Sequence, residues 1–122
     1  MNGSTPHIVQ YQGSKRMLAP QILPYFPGNF SRLVEPFAGM AAITIAVAKN
    51  EMSDSFVVND INDALVGILE QAINSPNKLY EEYVDVWLAQ FNYPEGHVAH
   101  FYRVRDEYNA GNSTPIASDG LL

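Results

Sequence analysis

The sequence predicts an α/β fold organised on a parallel strand–helix–strand unit, and three stretches predict it. Leu33-Val34-Glu35 suits a buried strand, Pro36 ends its ladder by removing a donor, and Gly39 permits a turn that a Cβ would obstruct. Ala41 to Lys49 follows as a helix, apolar nearly all round, which implies burial on more than one side. Ser55-Phe56-Val57-Val58-Asn59 then reads as a second strand ending at Asp60, and two strands joined by a helix imply a right-handed parallel crossover. The loop after the first strand leaves N–H groups unpaired at the carboxyl end of a strand, where open α/β sheets take their ligands; an ordinary buried corner with no ligand would read the same on this segment alone.

The remaining elements follow in chain order. Met1 to Pro6 is polar and turn-rich, and residues 1–7 are expected to be flexible. Ile8-Val9-Gln10-Tyr11 is short and extended in character, and Gln12-Gly13-Ser14-Lys15 forms a turn with Ser14 placed as a cap. From Lys15 to Tyr25, Met17, Leu18, Ile22 and Leu23 suit an amphipathic helix with Pro20 in its first turn, closed by Pro24 and Pro27-Gly28. After Asp60-Ile61-Asn62-Asp63, the stripe Leu65, Ile68, Leu69 and Ile73 predicts a helix over 64–73, stopped by Asn74-Ser75-Pro76. Leu79, Tyr80, Tyr83, Val84, Trp87 and Phe91 predict another from Lys78 to Gln90 with its aromatic stripe in the core. A last helix carries Pro94 in its first turn, contains Val98, Phe101, Tyr102, Val104 and Tyr108, and ends before Gly111. Residues 112–122 are turn-rich, without a third strand.

With 122 residues there is room for one domain or an incomplete piece of a larger one. An apolar fraction of 47% is that of a globular chain, and no apolar run approaches the ~20 residues of a membrane span. Met1 to His7 lacks the layout of a signal peptide, so a cytoplasmic location is expected. The absence of cysteine excludes disulfides and thiolate metal sites. Through Asn50, Lys15, Arg16, Arg32 and Lys49 face Glu35 alone, giving +3, whereas the remainder sets three basic against twelve acidic residues, giving −9. Only the amino-terminal part is suited to a polyanion.

Asp60 is the sharpest candidate for chemistry. A carboxylate closing the second strand of such a unit is placed to accept hydrogen bonds from a ribose diol; a helix N-cap is the competing assignment, which Asp63 could equally fill. Glu35 can hold a polar or sulfonium group, or pair with Lys15 or Arg32. The segment lacks Gly-x-Gly-x-x-Gly, so pyrophosphate recognition of the NAD type has little support. Lys15 and Arg16, beside Tyr11, can contact phosphate or cofactor, or be merely solvated. His97 and His100 have a spacing that permits a metal, but no third ligand stands close in sequence, and no metal site is expected. No Ser-His-Asp or Cys-His arrangement can be assembled.

Tyr11-x-Gly13-Ser14-Lys15, Val34-Glu35-Pro36-Phe37-Ala38-Gly39 and Asn59-Asp60-Ile61-Asn62 together resemble, in order and spacing, the amino-terminal motifs of Dam-type adenine-specific DNA methyltransferases. The likeness extends through Phe101 to Asn109, similar to the helix opening that family's target-recognition region. The resemblance implies an incomplete Rossmann-like fold that binds S-adenosyl-L-methionine and transfers its methyl to the exocyclic amino group of an adenine flipped out of double-stranded DNA. By motif position, Tyr11 and Lys15 would border the cofactor's amino-acid end and the target pocket. The loop Glu35, Pro36, Phe37 and Gly39 would surround the methionine moiety, Asp60 would bind the ribose diol, Ile61 would lie against the adenine ring, and Lys15 and Arg16 would meet DNA.

Two departures qualify the likeness. Ala41 stands where the family usually has a second glycine, and the catalytic Asp-Pro-Pro-Tyr segment has no counterpart, since the chain contains no Pro-Pro pair. The resemblance therefore implies the amino-terminal portion of a DNA adenine methyltransferase, inactive alone, with residues 8–75 in the cofactor domain, 77–111 opening the helical recognition region and 112–122 flexible. It also admits a restriction endonuclease counterpart. The rivals are a non-catalytic remnant that binds the cofactor or a partner, and a nucleoside- or NAD-binding domain of unrelated activity.

Overall fold

The computed structural model describes residues 4–111, and the chain divides into two compact units after Asn62. The first unit holds a 3₁₀ turn (Lys15–Met17), α1 (Ala19–Ile22), a second 3₁₀ turn (Leu23–Tyr25), β1 (Leu33–Glu35), α2 (Ala42–Lys49) and β2 (Phe56–Val58). The strands pair in parallel, Leu33 with Phe56, Val34 with Val57 and Glu35 with Val58. A mixed α/β architecture with a parallel strand–helix–strand unit is thus present, and among the described residues its sheet has two strands.

Side-chain alternation sets the two faces of that sheet. Leu33 is buried, whereas the register partners Val34 and Val57 are exposed on the opposite face. No residue from Ala42 to Val47 is exposed, which matches the apolar circumference of α2. Small side chains make this close packing achievable, since Ala38, Ala41, Ala42 and Ala46 are buried beside the larger Met40 where the loop after β1 enters the helix.

Two local expectations change in this unit. Ile8 and Val9 lie in bends, and no strand forms there. The stretch 15–25 is three short turns rather than one helix, because Pro20 and Pro24 each occupy the opening residues of a new turn and supply no N–H to the one before. Ser14 does cap the first turn, its hydroxyl accepting from the Arg16 amide at 3.3 Å.

The second unit comprises α3 (Asp63–Asn74), α4 (Pro76–Ala89), a 3₁₀ turn (Gln90–Asn92) and α5 (His97–Asn109). Leu65, Ile68 and Leu69 form the buried stripe of α3, while Ile73, assigned to the same stripe by spacing, is exposed in the last turn. None of the 14 residues of α4 is buried. The aromatic stripe therefore departs from its expected core position: Tyr80, Tyr83, Trp87 and Phe91 keep about half or more of their surface, and Trp87 packs edge-to-face on Phe91 at 4.9 Å.

Pro94 lies in the turn before α5, closed by the Gly96 amide on the Tyr93 carbonyl at 3.0 Å; the helix starts only at His97 because Gly96, at φ 88°, cannot be its first residue. Gly111, at φ 73°, terminates α5 as expected, donating to the Tyr108 carbonyl. Residues 1–3 and the 112–122 tail lie outside the described residues.

Two truncations in one helix check this partition. Ile68 is fully buried and Ile73 is 74% exposed. Chemical denaturation should show Ile68→Ala costing about 3 kcal/mol and Ile73→Ala under about 1 kcal/mol; equal costs would contradict the burial.

Candidate functional site

Two carboxylates converge at the carboxyl ends of the paired strands. Glu35 is the last residue of β1, and its Oε2 accepts from both the Thr44 amide at 2.9 Å and the Thr44 hydroxyl at 2.6 Å. Thr44 sits in the first turn of α2, whose N-cap, Ala41, has no side chain able to cap. An acid from the preceding strand thus satisfies an orphan helix donor and places negative charge at the positive end of the helix. The salt bridges to Lys15 or Arg32 that the sequence left open do not form: Lys15 donates its Nζ to the Gly13 carbonyl at 2.8 Å, and Arg32 donates to the Ser55 hydroxyl at 3.1 Å.

Asp60 follows β2 and holds two loops. Its Oδ2 accepts from the Gly39 amide at 2.9 Å and its Oδ1 from the Asn62 amide at 2.9 Å. These backbone donors, Asn62 first, then Gly39 and Ile61, keep its pKa below the usual carboxylate value against an opposing desolvation. Asp60 therefore does cap locally, but across to the other strand's loop as well. A carboxylate offers about four acceptor sites, so two hydrogen bonds leave capacity for a diol.

Gly39 is fixed by conformation and by crowding. It sits at φ 53°, and a Cβ added there would lie 3.1 Å from the Tyr11 ring. Through that contact Tyr11, distant in sequence, is brought over the loop.

Tyr11, Gly13, Ser14, Lys15, Glu35, Phe37, Gly39, Met40 and Asp60 line one open cavity of about 160 Å³. Six residues singled out in the sequence, Tyr11, Lys15, Glu35, Phe37, Gly39 and Asp60, are therefore gathered in one place. Pro36 and Ile61 border it in the chain without lining it, and Ile61 is 99% exposed. Arg16 is turned elsewhere, half-buried, with its Nε donating to the Thr5 carbonyl at 2.5 Å. Thr44 was not singled out; a lone hydroxyl in the otherwise apolar run Ala42–Ala48 is the clue that could have found it. A roomier cavity of about 500 Å³ near the carboxyl end of α2 has no carboxylate in its lining. Chemistry rather than size selects the rim.

His97 and His100 both lie in α5. His100 is 5% exposed and packs edge-to-face against Tyr93, and among the described residues no group of three His, Cys, Asp or Glu converges. Nor is any described helix long and apolar enough to cross a membrane.

Two carboxylates held by backbone amides thus stand at the ends of parallel strands around a glycine loop, the position at which open α/β sheets commonly take ligands. The model of the D12 class N6 adenine-specific DNA methyltransferase family matches residues 11–119, and the chain belongs to that family. Membership supports an enzyme that methylates adenine in DNA. No solved structure matches the chain.

The hydrogen bonds of Asp60 carry a pH signature. Because its folded pKa is lowered, the stability it contributes is present at neutral pH and is lost as pH falls through the acid carboxylate range. Melting curves of the native chain and Asp60→Asn should differ at pH 7 and converge below about pH 4. A constant offset would show that the charge is not what those amides hold.

Proposed function

We propose that the rim binds S-adenosyl-L-methionine. The observation that carries this reading is the composition of the cavity, two carboxylates against the single ammonium of Lys15. The cofactor bears a sulfonium, an ammonium and a carboxylate, a net positive charge that complements the cavity, whereas NAD brings two phosphates to a pair of carboxylates. Asp60 takes the ribose diol, Lys15 and Tyr11 border the amino-acid end, and the loop Glu35, Pro36, Phe37 and Gly39 encloses the methionine moiety. Phe37 and Ile61, 92% and 99% exposed, offer apolar surface on the two loops, Ile61 for the adenine ring. A volume of about 160 Å³ is below the ~300–1,000 Å³ of complete ligand pockets, which suits part of the cofactor rather than all of it.

The bound cofactor supplies an electrophilic methyl, transferred to the exocyclic nitrogen of adenine as that nitrogen loses a proton. Lys15 is assigned to DNA phosphates, supported by the basic excess through Asn50, whereas Arg16 is engaged by the Thr5 carbonyl and would have to leave it to join such a contact. Without an Asp-Pro-Pro-Tyr segment to hold the amino nitrogen in line with the methyl, this chain binds cofactor but does not turn over, and its setting is cytoplasmic.

Calorimetry with the chain should show S-adenosylhomocysteine binding in preference to NAD, weakened about tenfold by Asp60→Asn. A preference for NAD would overturn the cofactor. Incubation with unmethylated duplex DNA and labelled S-adenosyl-L-methionine should give no transfer; turnover would refute the assignment of the chemistry to a segment this chain lacks.

A further inference from the structure

We propose that Thr44 is a positioning residue that aims Glu35 at the amino-acid end of the cofactor. This rests on the cofactor reading above. The terminal torsion of a glutamate is broad, so a carboxylate at a strand end has no preferred facing of its own. Here one oxygen, Oε2, receives both the amide and the hydroxyl of Thr44, at 2.9 and 2.6 Å. Two donors on one oxygen fix the plane and leave Oε1 without a protein partner among the described residues, in a residue that lines the cavity. An ammonium, with three donors and a charge, is the group on this cofactor that such an oxygen accepts.

Thr44 is the one hydroxyl residue of α2, and in the first turn it has no preceding helical turn whose carbonyl it could bond back to. In α2 the hydroxyl donates to Glu35 instead, tying the helix to the strand end it follows. An alanine or valine there would keep the amide bond and lose the second donor, so the carboxylate would regain its torsional freedom.

The test compares two ligands sharing one nucleoside. S-adenosylhomocysteine carries the amino-acid end and 5′-methylthioadenosine lacks it. Calorimetry on the 122-residue chain should show Thr44→Val weakening S-adenosylhomocysteine about tenfold and 5′-methylthioadenosine less than about twofold, with Thr44→Ser restoring most of the loss. Thr44→Ala, a better helix former, gives the same comparison should the valine variant fail to fold. Equal loss for both ligands, or no loss for either, overturns the positioning role while leaving the cofactor site standing. A native chain that binds neither ligand overturns both.

Discussion

The structure depends on a short set of hydrogen bonds that continue the β1–β2 pairing beyond the strands themselves. Asn59 donates its amide to the Glu35 carbonyl at 3.0 Å, Ala38 donates to the Asn59 carbonyl at 3.0 Å, and the Gly39 amide reaches Asp60 at 2.9 Å. The Asn59 side chain adds a bond to the Pro36 carbonyl at 3.3 Å. Pro36 removes a donor at the point where the ladder should end, yet the loops do not splay, because asparagine and aspartate supply the partners that a third ladder step would have given. Both carboxylates of the rim owe their position to this stitch.

The loop that enters α2 also needs two left-handed residues, Gly39 at φ 53° and Ala41 at φ 52°. Glycine adopts that conformation without strain, whereas alanine gives up about 1 kcal/mol. Ala41 stands where a second glycine would be usual in this family, and the structure shows the backbone taking the glycine-like path regardless. What helps hold it is burial, since Ala41 and its neighbours Met40 and Ala42 are packed beneath the loop. With no capping side chain at Ala41, the start of α2 relies on Glu35, so the strained turn and the strand-end carboxylate are two halves of one solution.

How much of this could be read from residues depends on whether the determinant is local. β1, α2, β2 and α3 were legible because strand composition, a proline stop and helical spacing act within a few residues, and so did the caps Ser14 and Gly111. The broken turns at 15–25 were not, since hydrophobic spacing outvoted two prolines that each restart the helix. The α4 stripe misled differently: spacing shows that Tyr80, Tyr83, Trp87 and Phe91 share a face, but not whether anything covers it. The places of Glu35 and Asp60 at strand ends and of Gly39 in the loop after β1 were legible from local pattern, while the contact of Tyr11 with Gly39 and the two bonds of Thr44 depend on tertiary geometry that no spacing rule encodes.

The two carboxylates serve the fold through their own hydrogen bonds, and this narrows the chemistry that the proposed site can take. Asp60 is held ionised by backbone donors, and Glu35 receives two donors on one oxygen, so each is organised as an acceptor with lone pairs still open. Hydroxyls and cationic nitrogen or sulfur groups add to the existing donors without competing for the charge, whereas an anionic group would have to approach two carboxylates offset by one lysine. A zwitterionic, net-cationic nucleoside, the ligand proposed above, is the chemistry that meets the structural demands on Glu35 and Asp60 without opposing their charge.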